Sequence, residues 1–93
     1  MPRIIITAQV EDVAKWEASF RTHGDLFRRQ TTISPIGMAT SEESNDVAVS
    51  FEVRDLDTFM QTLQSPETAE AMAADGVVQD TVKLFVLDKE FHL

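Results

Sequence analysis

The order of the segments constrains this chain most. Four strand-like runs and two helical patterns follow one another as β-α-β-β-α-β within 93 residues. Each strand-like run is more apolar than a sheet with one wet face requires, so we expect a sheet that is covered on both faces. One cover is the chain's own helices, and the other is predicted to be a second copy of the chain.

Strand signals occur in four places. The strands are predicted at Arg3 to Val10, Arg28 to Thr40, Val47 to Val53 and Thr81 to Asp88. Pro35 and Gly37 interrupt the second run, which is typical of an edge strand with a bulge or kink. The third run alternates apolar and mixed side chains with a period of two, as a strand does.

Helical spacing occurs in two places. Asp12 is the predicted N-cap of a first helix. Five residues spaced three or four apart then share one face of that helix: Val13, Trp16, Phe20, His23 and Phe27. Gly24 weakens the helix near its end. Asp55 is predicted to cap the second helical region. Ser65-Pro66 predicts a break there, and Gly76 suits a left-handed position after its end.

Right-handed crossovers in the two β-α-β halves, joined by a short hairpin, fold most simply into a ferredoxin-like sandwich of the α+β class. This fold is expected to form a single domain over residues 1–93, with an antiparallel four-stranded sheet and both helices on one face. The first and third strands would be central. Ile5, Phe85 and Leu87 would lie on the helix-free face, where an apolar patch indicates an interface. The sequence therefore predicts a homodimer.

Composition excludes several classes of protein. Sixteen acidic and eight basic side chains give a net charge of −8, which disfavours binding to nucleic acids. The absence of cysteine excludes disulfides and thiolate metal sites. No apolar run is typical of a secretory signal or a membrane span, so we expect a cytoplasmic protein that does not bind membranes. No motif predicts a metal site or a cofactor.

The chain resembles the dimeric α+β barrel superfamily, in particular its antibiotic-biosynthesis-monooxygenase-like and cyclase-like members. The resemblance rests on the element order and on the segments Phe51-Glu52-Val53-Arg54-Asp55-Leu56 and Ser65-Pro66-Glu67, followed by Met72 and Gly76-Val77. It implies two ferredoxin-like subunits paired sheet to sheet. The superfamily includes cofactor-free monooxygenases of polyketide quinones, haem-degrading enzymes, isomerases and stress-responsive proteins.

Two features of the sequence depart from particular members of that superfamily. Haem-degrading members are expected to carry a Trp or His in the second helical region, and residues 55–75 contain neither. Stress-responsive members typically have a His in the first strand, and this chain has none there. The resemblance therefore implies the fold and the dimer but assigns no subfamily.

His23 is the candidate catalytic residue, because it lies among large apolar residues on one helix face. Its imidazole could act as a general base, bind haem or donate a hydrogen bond to a carbonyl. The alternative is a histidine at a helix end, satisfied by a backbone carbonyl. The predicted ligand-binding residues share apolar character, although each could instead belong to the core: Trp16, Phe20, Phe27, Met38, Met60 and Met72.

Two groups of charged residues have alternative interpretations. A cluster of cations near the end of the first helix could steer an anionic ligand or could simply complement the helix C-terminus: Arg21, Arg28 and Arg29. Glu52 should pair with Lys83 or Arg54, or else reach water at the rim of the barrel.

The sequence favours a small homodimeric protein that binds an apolar or aromatic small molecule between the first helix and the sheet. A cofactor-free monooxygenase or isomerase would need little more than a base and a dry pocket. The alternative is a non-catalytic accessory or stress-related binding module that works through its dimer surface. A cavity reaching His23 would favour the first hypothesis, and tight packing around His23 would favour the second.

Overall fold

The computed structural model describes residues 2–93. Four strands and four helices follow one another, so each crossover contains two short helices. The elements are β1 (Arg3–Val10), α1 (Val13–Phe20), α2 (Gly24–Arg29), β2 (Thr32–Ser41), β3 (Asp46–Val53), α3 (Leu56–Leu63), α4 (Pro66–Ala74) and β4 (Val77–Leu87).

The four strands form one antiparallel sheet in the order β2-β3-β1-β4. The predicted ferredoxin-like fold of the α+β class is therefore confirmed, with β1 and β3 in the centre. Ile4 lies opposite Phe51 on one side and Val86 on the other, so these three side chains share the face that forms the core. Ile5 lies opposite Phe85 and points to the other face.

The helices pack on the face that carries Ile4. Ile4, Val53 and Phe59 are completely buried there, and Trp16 of α1 joins the same cluster. The rings of Phe51 and Phe59 meet edge to face at 5.6 Å and join β3 to α3. On the opposite face Phe85 is 51% exposed, so residues 2–93 leave about half of it uncovered.

The first helical region contains a break that the sequence analysis did not predict. The expected helix is divided into α1 and α2, and His23 stands as the N-cap residue of α2. The Thr22 hydroxyl donates to the carbonyl of Ser19 at 2.6 Å, and the Thr22 N–H bonds the same carbonyl at 3.0 Å. These bonds tighten the chain into a turn after α1, and Gly24 then begins a new helix.

The predicted break in the second helical region is confirmed. The Ser65 hydroxyl accepts a hydrogen bond from the Thr68 N–H, and Pro66 occupies the first turn of α4. Proline has no N–H to donate to the preceding turn, so α3 ends before it. Gly76 has a φ of +74°, as predicted for the residue after the end of α4.

Strand boundaries differ from the predictions by four residues at two points and by one residue at three others. β2 begins at Thr32 instead of Arg28, because α2 continues to Arg29. β4 begins at Val77 instead of Thr81, because Val77 already pairs with Val10 of β1. The predicted irregularity of β2 is present, since its pairing with β3 shifts register between residues 33 and 37.

Glu52 pairs with neither of its expected partners. Its Oε1 accepts a hydrogen bond from Arg3 Nη2 at 3.1 Å, and another Arg3 nitrogen donates to the Ser50 hydroxyl at 3.0 Å. Arg3 lies directly opposite Glu52 in the β1–β3 register, whereas Lys83 lies opposite Thr7. Cross-strand position therefore decides the pairing, and Arg54 takes no part in it.

Candidate functional site

A cavity of about 90 Å³ lies between the helices and the core face of the sheet. Three aromatic rings along the first crossover form one wall. The rings of Trp16 and Phe20 have centroids 5.0 Å apart, and those of Phe20 and Phe27 are 4.9 Å apart. Met72 of α4 lies across the cavity, and Phe51 of β3 belongs to its floor. These side chains give the cavity an almost entirely apolar lining.

A polar group made by three residues lies at one end of this cavity. His23 Nε2 is 2.9 Å from Asp75 Oδ1 and 3.0 Å from Asp75 Oδ2. The hydroxyl of Ser19, on α1, donates a hydrogen bond to the same carboxylate. The side chain of Asp75 is only 5% exposed and that of His23 is 21% exposed, so the pair is largely withdrawn from solvent.

The turn after α1 and the end of α4 bring these groups together. His23 lies in the turn between α1 and α2, and Asp75 is the residue at which α4 ends. Gly76 then turns the chain into β4 with its positive φ, and its carbonyl accepts a hydrogen bond from the Glu11 N–H at 2.9 Å. The carboxylate is therefore fixed to a helix end whose backbone is itself anchored to the start of the first crossover.

The contacts of His23 determine which nitrogen can act as a base. An ionised carboxylate only accepts hydrogen bonds, so Asp75 places the imidazole proton on Nε2 and leaves the lone pair on Nδ1. Within residues 2–93, no hydrogen-bond partner occupies Nδ1. The ring of Phe27 stands edge-on to the imidazole with a centroid distance of 6.4 Å. The arrangement can accept a proton at Nδ1 while Asp75 stabilises the cation that results.

The structure brings five of the seven predicted site residues to this cavity. His23 lines it together with Trp16, Phe20, Phe27 and Met72. The two other methionines pack against the buried core instead and do not line the cavity: Met38 and Met60. The roles of all seven residues in catalysis or ligand binding remain predictions.

Three residues of the site were missed by the sequence analysis: Ser19, Gln30 and Asp75. Asp75 carried one usable signal, because an acidic residue at a helix C-terminus opposes the helix dipole and therefore needs another partner. Gln30 is the C-cap residue of α2, is only 5% exposed and also lines the cavity. It was concealed because the second strand was predicted to begin at Arg28.

All three arginines of the predicted cationic cluster have carboxylate partners. Arg21 lies near Glu17 and Arg28 near Asp25, each on the same stretch of helix. Such pairs, together with the two arginines in the last turn of α2, fit the interpretation in which the cations complement helix ends. No arginine of this cluster is left unpaired to steer a ligand.

The third of these ion pairs joins two helices. Arg29 of α2 forms two hydrogen bonds with the carboxylate of Glu67 in the first turn of α4. The Arg29 guanidinium holds the pKa of Glu67 below its ordinary value through these bonds. Together with the His23–Asp75 pair, this contact joins the first crossover to the second.

Neither a metal site nor a membrane span is evident along the described chain. Within residues 2–93, no three His, Asp or Glu side chains are grouped closely enough to hold a metal ion. No helix in this part of the chain is both long and apolar enough to cross a bilayer.

The sequence matches no family model and no curated protein. Solved structures, in contrast, resemble it over nearly the whole chain. A candidate antibiotic biosynthesis monooxygenase from Bordetella bronchiseptica has a TM-score of 0.73 at 17% identity, with 97% of each chain covered. SnoaB, a cofactor-independent oxygenase from Streptomyces nogalater, has a TM-score of 0.68 at 17% identity, covering 99% of this chain and 95% of SnoaB.

A conserved protein from Methanosarcina mazei Go1 is similar to the same extent, with a TM-score of 0.67 at 15% identity over 96% of this chain and 92% of the other. Identities this low establish the fold, whereas an activity has to be argued from the site. The chain therefore shares its ferredoxin-like fold with these structures, and this fold is the one predicted from the sequence.

Proposed function

We propose that this protein is a homodimer that binds a small apolar or aromatic molecule in the cavity and acts on it as a cofactor-free monooxygenase or isomerase. His23 is the general base of the proposal and Asp75 is its positioning residue. The single observation that carries it is the buried Asp75 carboxylate bonded to His23 Nε2 at the edge of an apolar cavity.

The proposed chemistry begins with a proton transfer. Nδ1 of His23 removes a proton from a C–H or O–H group that a neighbouring carbonyl has made acidic, and Asp75 stabilises the imidazolium. An isomerase returns that proton to a different carbon of the same molecule. A cofactor-free monooxygenase instead leaves an electron-rich carbanion, and molecular oxygen adds to its carbon as a peroxide. The O–O bond and the remaining C–H bond of that carbon then break, one oxygen atom stays as a new carbonyl, and the other leaves with two protons as water, so the substrate itself supplies the electrons. The likeness to SnoaB, which is described as a cofactor-independent oxygenase, supports the second course.

The size of the cavity implies that ligand binding requires movement. Pockets for drug-sized ligands have volumes of roughly 300–1,000 Å³, and this cavity has about 90 Å³. A molecule of one or more aromatic rings therefore has to displace a wall. The exposed Arg29–Glu67 pair joins α2 to α4 at the surface, and exposed pairs contribute little to stability. We propose that α2 and α4 separate there when a ligand enters.

The homodimer is proposed on the helix-free face of the sheet. Phe85 and Leu87 of β4 are 51% and 42% exposed, and both alternate with residues on the core face. Apolar side chains grouped on one face of a sheet are typical of a contact with another protein surface. A second copy of the chain offers the same face and would cover them symmetrically.

The same exposed face supports the alternative, a non-catalytic accessory or stress-related binding module that works through its dimer surface. In that case the His23–Asp75 pair would only tie the two crossovers together. The cavity beside His23 favours the first proposal, because a purely structural pair has no need of an empty apolar space next to its imidazole. The two proposals differ in whether the base transfers protons.

Proton transfer can be measured without knowing the natural substrate. We would follow deuterium exchange at the acidic C–H groups of 2-tetralone in D₂O by NMR. Wild-type protein should accelerate this exchange, and His23→Leu should reduce it by about 10²-fold or more, the usual worth of a general base. Asp75→Asn should lose at least tenfold while the chain stays folded.

The matched control is His92→Leu, since His92 lies in the exposed C-terminal segment. It should exchange deuterium at the wild-type rate. If His23→Leu and His92→Leu both retain full exchange activity, the assignment of the base is wrong and the binding-module proposal becomes the better one.

A further inference from the structure

We infer that the side-chain amide of Gln30 determines ligand specificity, by binding a carbonyl oxygen on the molecule that occupies the cavity. The inference rests on the proposed function, because it needs the cavity to bind a small molecule. It adds a chemical requirement: an apolar ligand should carry a carbonyl group, and an apolar analogue of the same shape should bind more weakly.

Gln30 is unusual among the polar residues of the cavity. Its backbone N–H bonds the Leu26 carbonyl at 3.0 Å, but within residues 2–93 its side-chain amide has no hydrogen-bond partner. The other buried polar groups of the lining are satisfied. Thr68 donates to the Thr62 carbonyl at 2.6 Å, and Asp75 accepts from both Ser19 and His23.

An amide in a largely buried side chain has few hydrogen bonds to water, which is costly unless another polar group replaces them. Gln30 is only 5% exposed and lines the cavity, and its amide keeps some access to solvent, because Thr32 Oγ1 is the side-chain atom of residues 2–93 that is both sealed and unpaired. A leucine or methionine would cover the same apolar surface without this cost. The partner of the amide is therefore expected to lie in the cavity, as a water molecule in the free protein and as a polar atom of the bound ligand.

The position of Gln30 relative to the base suggests which polar atom this is. His23 and Gln30 flank the two ends of α2, so they lie about 10 Å apart along the helix axis at 1.5 Å per residue. A flat molecule between them would present its acidic proton to His23 and its oxygen to Gln30. When the proton leaves, negative charge develops on a conjugated carbonyl oxygen. An amide N–H that donates to this oxygen would stabilise the charge.

The test uses two probes with the same planar shape, acetophenone and α-methylstyrene, which differ in having C=O or C=CH₂. Binding is followed by ¹⁵N NMR at the side-chain amide of Gln30 and at the indole N–H of Trp16, the only tryptophan. Wild-type protein should bind acetophenone more tightly. Gln30→Met, a near-isosteric change, should weaken acetophenone binding about three- to tenfold, as loss of one hydrogen bond does, and leave α-methylstyrene binding unchanged or tighter.

The matched control is Gln64→Met, since Gln64 is an exposed residue at the end of α3, and it should retain the preference for acetophenone. An unchanged preference in Gln30→Met would overturn the inference while leaving the cavity as a binding site. Equal weakening for both probes would also overturn it, because shape and not the amide would then decide. If Gln30→Met fails to fold, the amide serves the fold and the inference is again wrong. If neither probe binds wild-type protein, the proposed function itself fails.

Discussion

Replacement of Phe85 by alanine tests the proposed dimer most directly. Phe85 lies opposite Ile5 on the helix-free face, and 51% of its surface is exposed in the single subunit. Because it belongs to no core of its own subunit, truncation should leave the fold intact. Any large effect of the substitution must therefore come from association between copies.

The size of the effect follows from the exposed area. A phenylalanine side chain has a surface of roughly 200 Å², so about half of that of Phe85, ~100 Å², is exposed in the single subunit. At about 25 cal/mol per Å² this area contributes ~2.5 kcal/mol per protomer and ~5 kcal/mol per dimer when fully covered. The corresponding change in dissociation constant exceeds a thousandfold. Because alanine keeps the β-carbon and interfaces cover side chains incompletely, we expect a loss of at least a hundredfold.

Sedimentation equilibrium over a range of protein concentrations measures this dissociation constant. Phe85→Asp should dissociate the dimer completely, since it would place a carboxylate in a dry interface. Phe91→Asp is the matched control, because Phe91 is even more exposed, at 85%, but lies in the C-terminal segment beyond β4. Circular dichroism should show that both variants are folded.

Two results would refute this reasoning. A wild-type protein that stays monomeric at micromolar concentration has no interface on this face. A dimer that Phe85→Asp and Phe91→Asp weaken equally, or not at all, must associate through another surface, and the helix-free face would then need a different partner.

Two further predictions concern the helices. The pKa of Asp55 lies below its ordinary value, chiefly because its carboxylate accepts a hydrogen bond from the Thr58 backbone N–H. The contribution of the Asp55 carboxylate to stability is therefore complete above about pH 4 and is lost as the pH falls through its lowered pKa. In urea unfolding, the free energy by which wild type exceeds Asp55→Asn should therefore vanish in acid. A difference in unfolding free energy that stays constant with pH would contradict this. Arg29→Gln should accelerate ligand entry in stopped-flow binding, because it breaks the ion pair with Glu67. Arg28→Gln, the control, leaves that ion pair intact and should not change the rate of entry. Equal rates in both variants would show that the Arg29–Glu67 pair does not control entry.

Local periodicity explains why most of the fold could be predicted. The alternation from Val47 to Val53 and the β-branched run after Arg3 each carry their own evidence for a strand. Ser65-Pro66 marks a helix break by chemistry alone, since proline lacks the N–H. Such signals require only neighbouring residues, so they survive without knowledge of the tertiary structure.

The break after α1 was missed because a helix break can be predicted only where a local residue marks it. No proline marks it, and it depends on the Thr22 hydroxyl competing for the Ser19 carbonyl, an option open to any helical threonine. The face containing Trp16, Phe20 and Phe27 nevertheless remained correct, because both short helices turn the same side toward the sheet. Periodicity therefore located the wall of the cavity although the helix itself was wrongly predicted.

The polar part of the site could not be predicted from local sequence. Asp75 is far from His23 along the chain, and nothing near either residue specifies the other. The role proposed for Gln30 rests on its burial and on its lack of a side-chain partner within residues 2–93, and local sequence gives neither. Propensity and spacing describe which surfaces meet, whereas the matching of individual hydrogen bonds depends on the assembled tertiary structure.

The separation of His23 and Asp75, 52 positions, has a consequence for folding. Each β-α-β half of the chain supplies one member of the pair, so neither half contains the complete pair. A collapsed intermediate could already offer an apolar space to a hydrophobic dye, but its imidazole would lack the carboxylate that orients it. Proton-transfer capacity should thus appear only when the last crossover docks, which would make it a stricter measure of native assembly than dye binding or helix content.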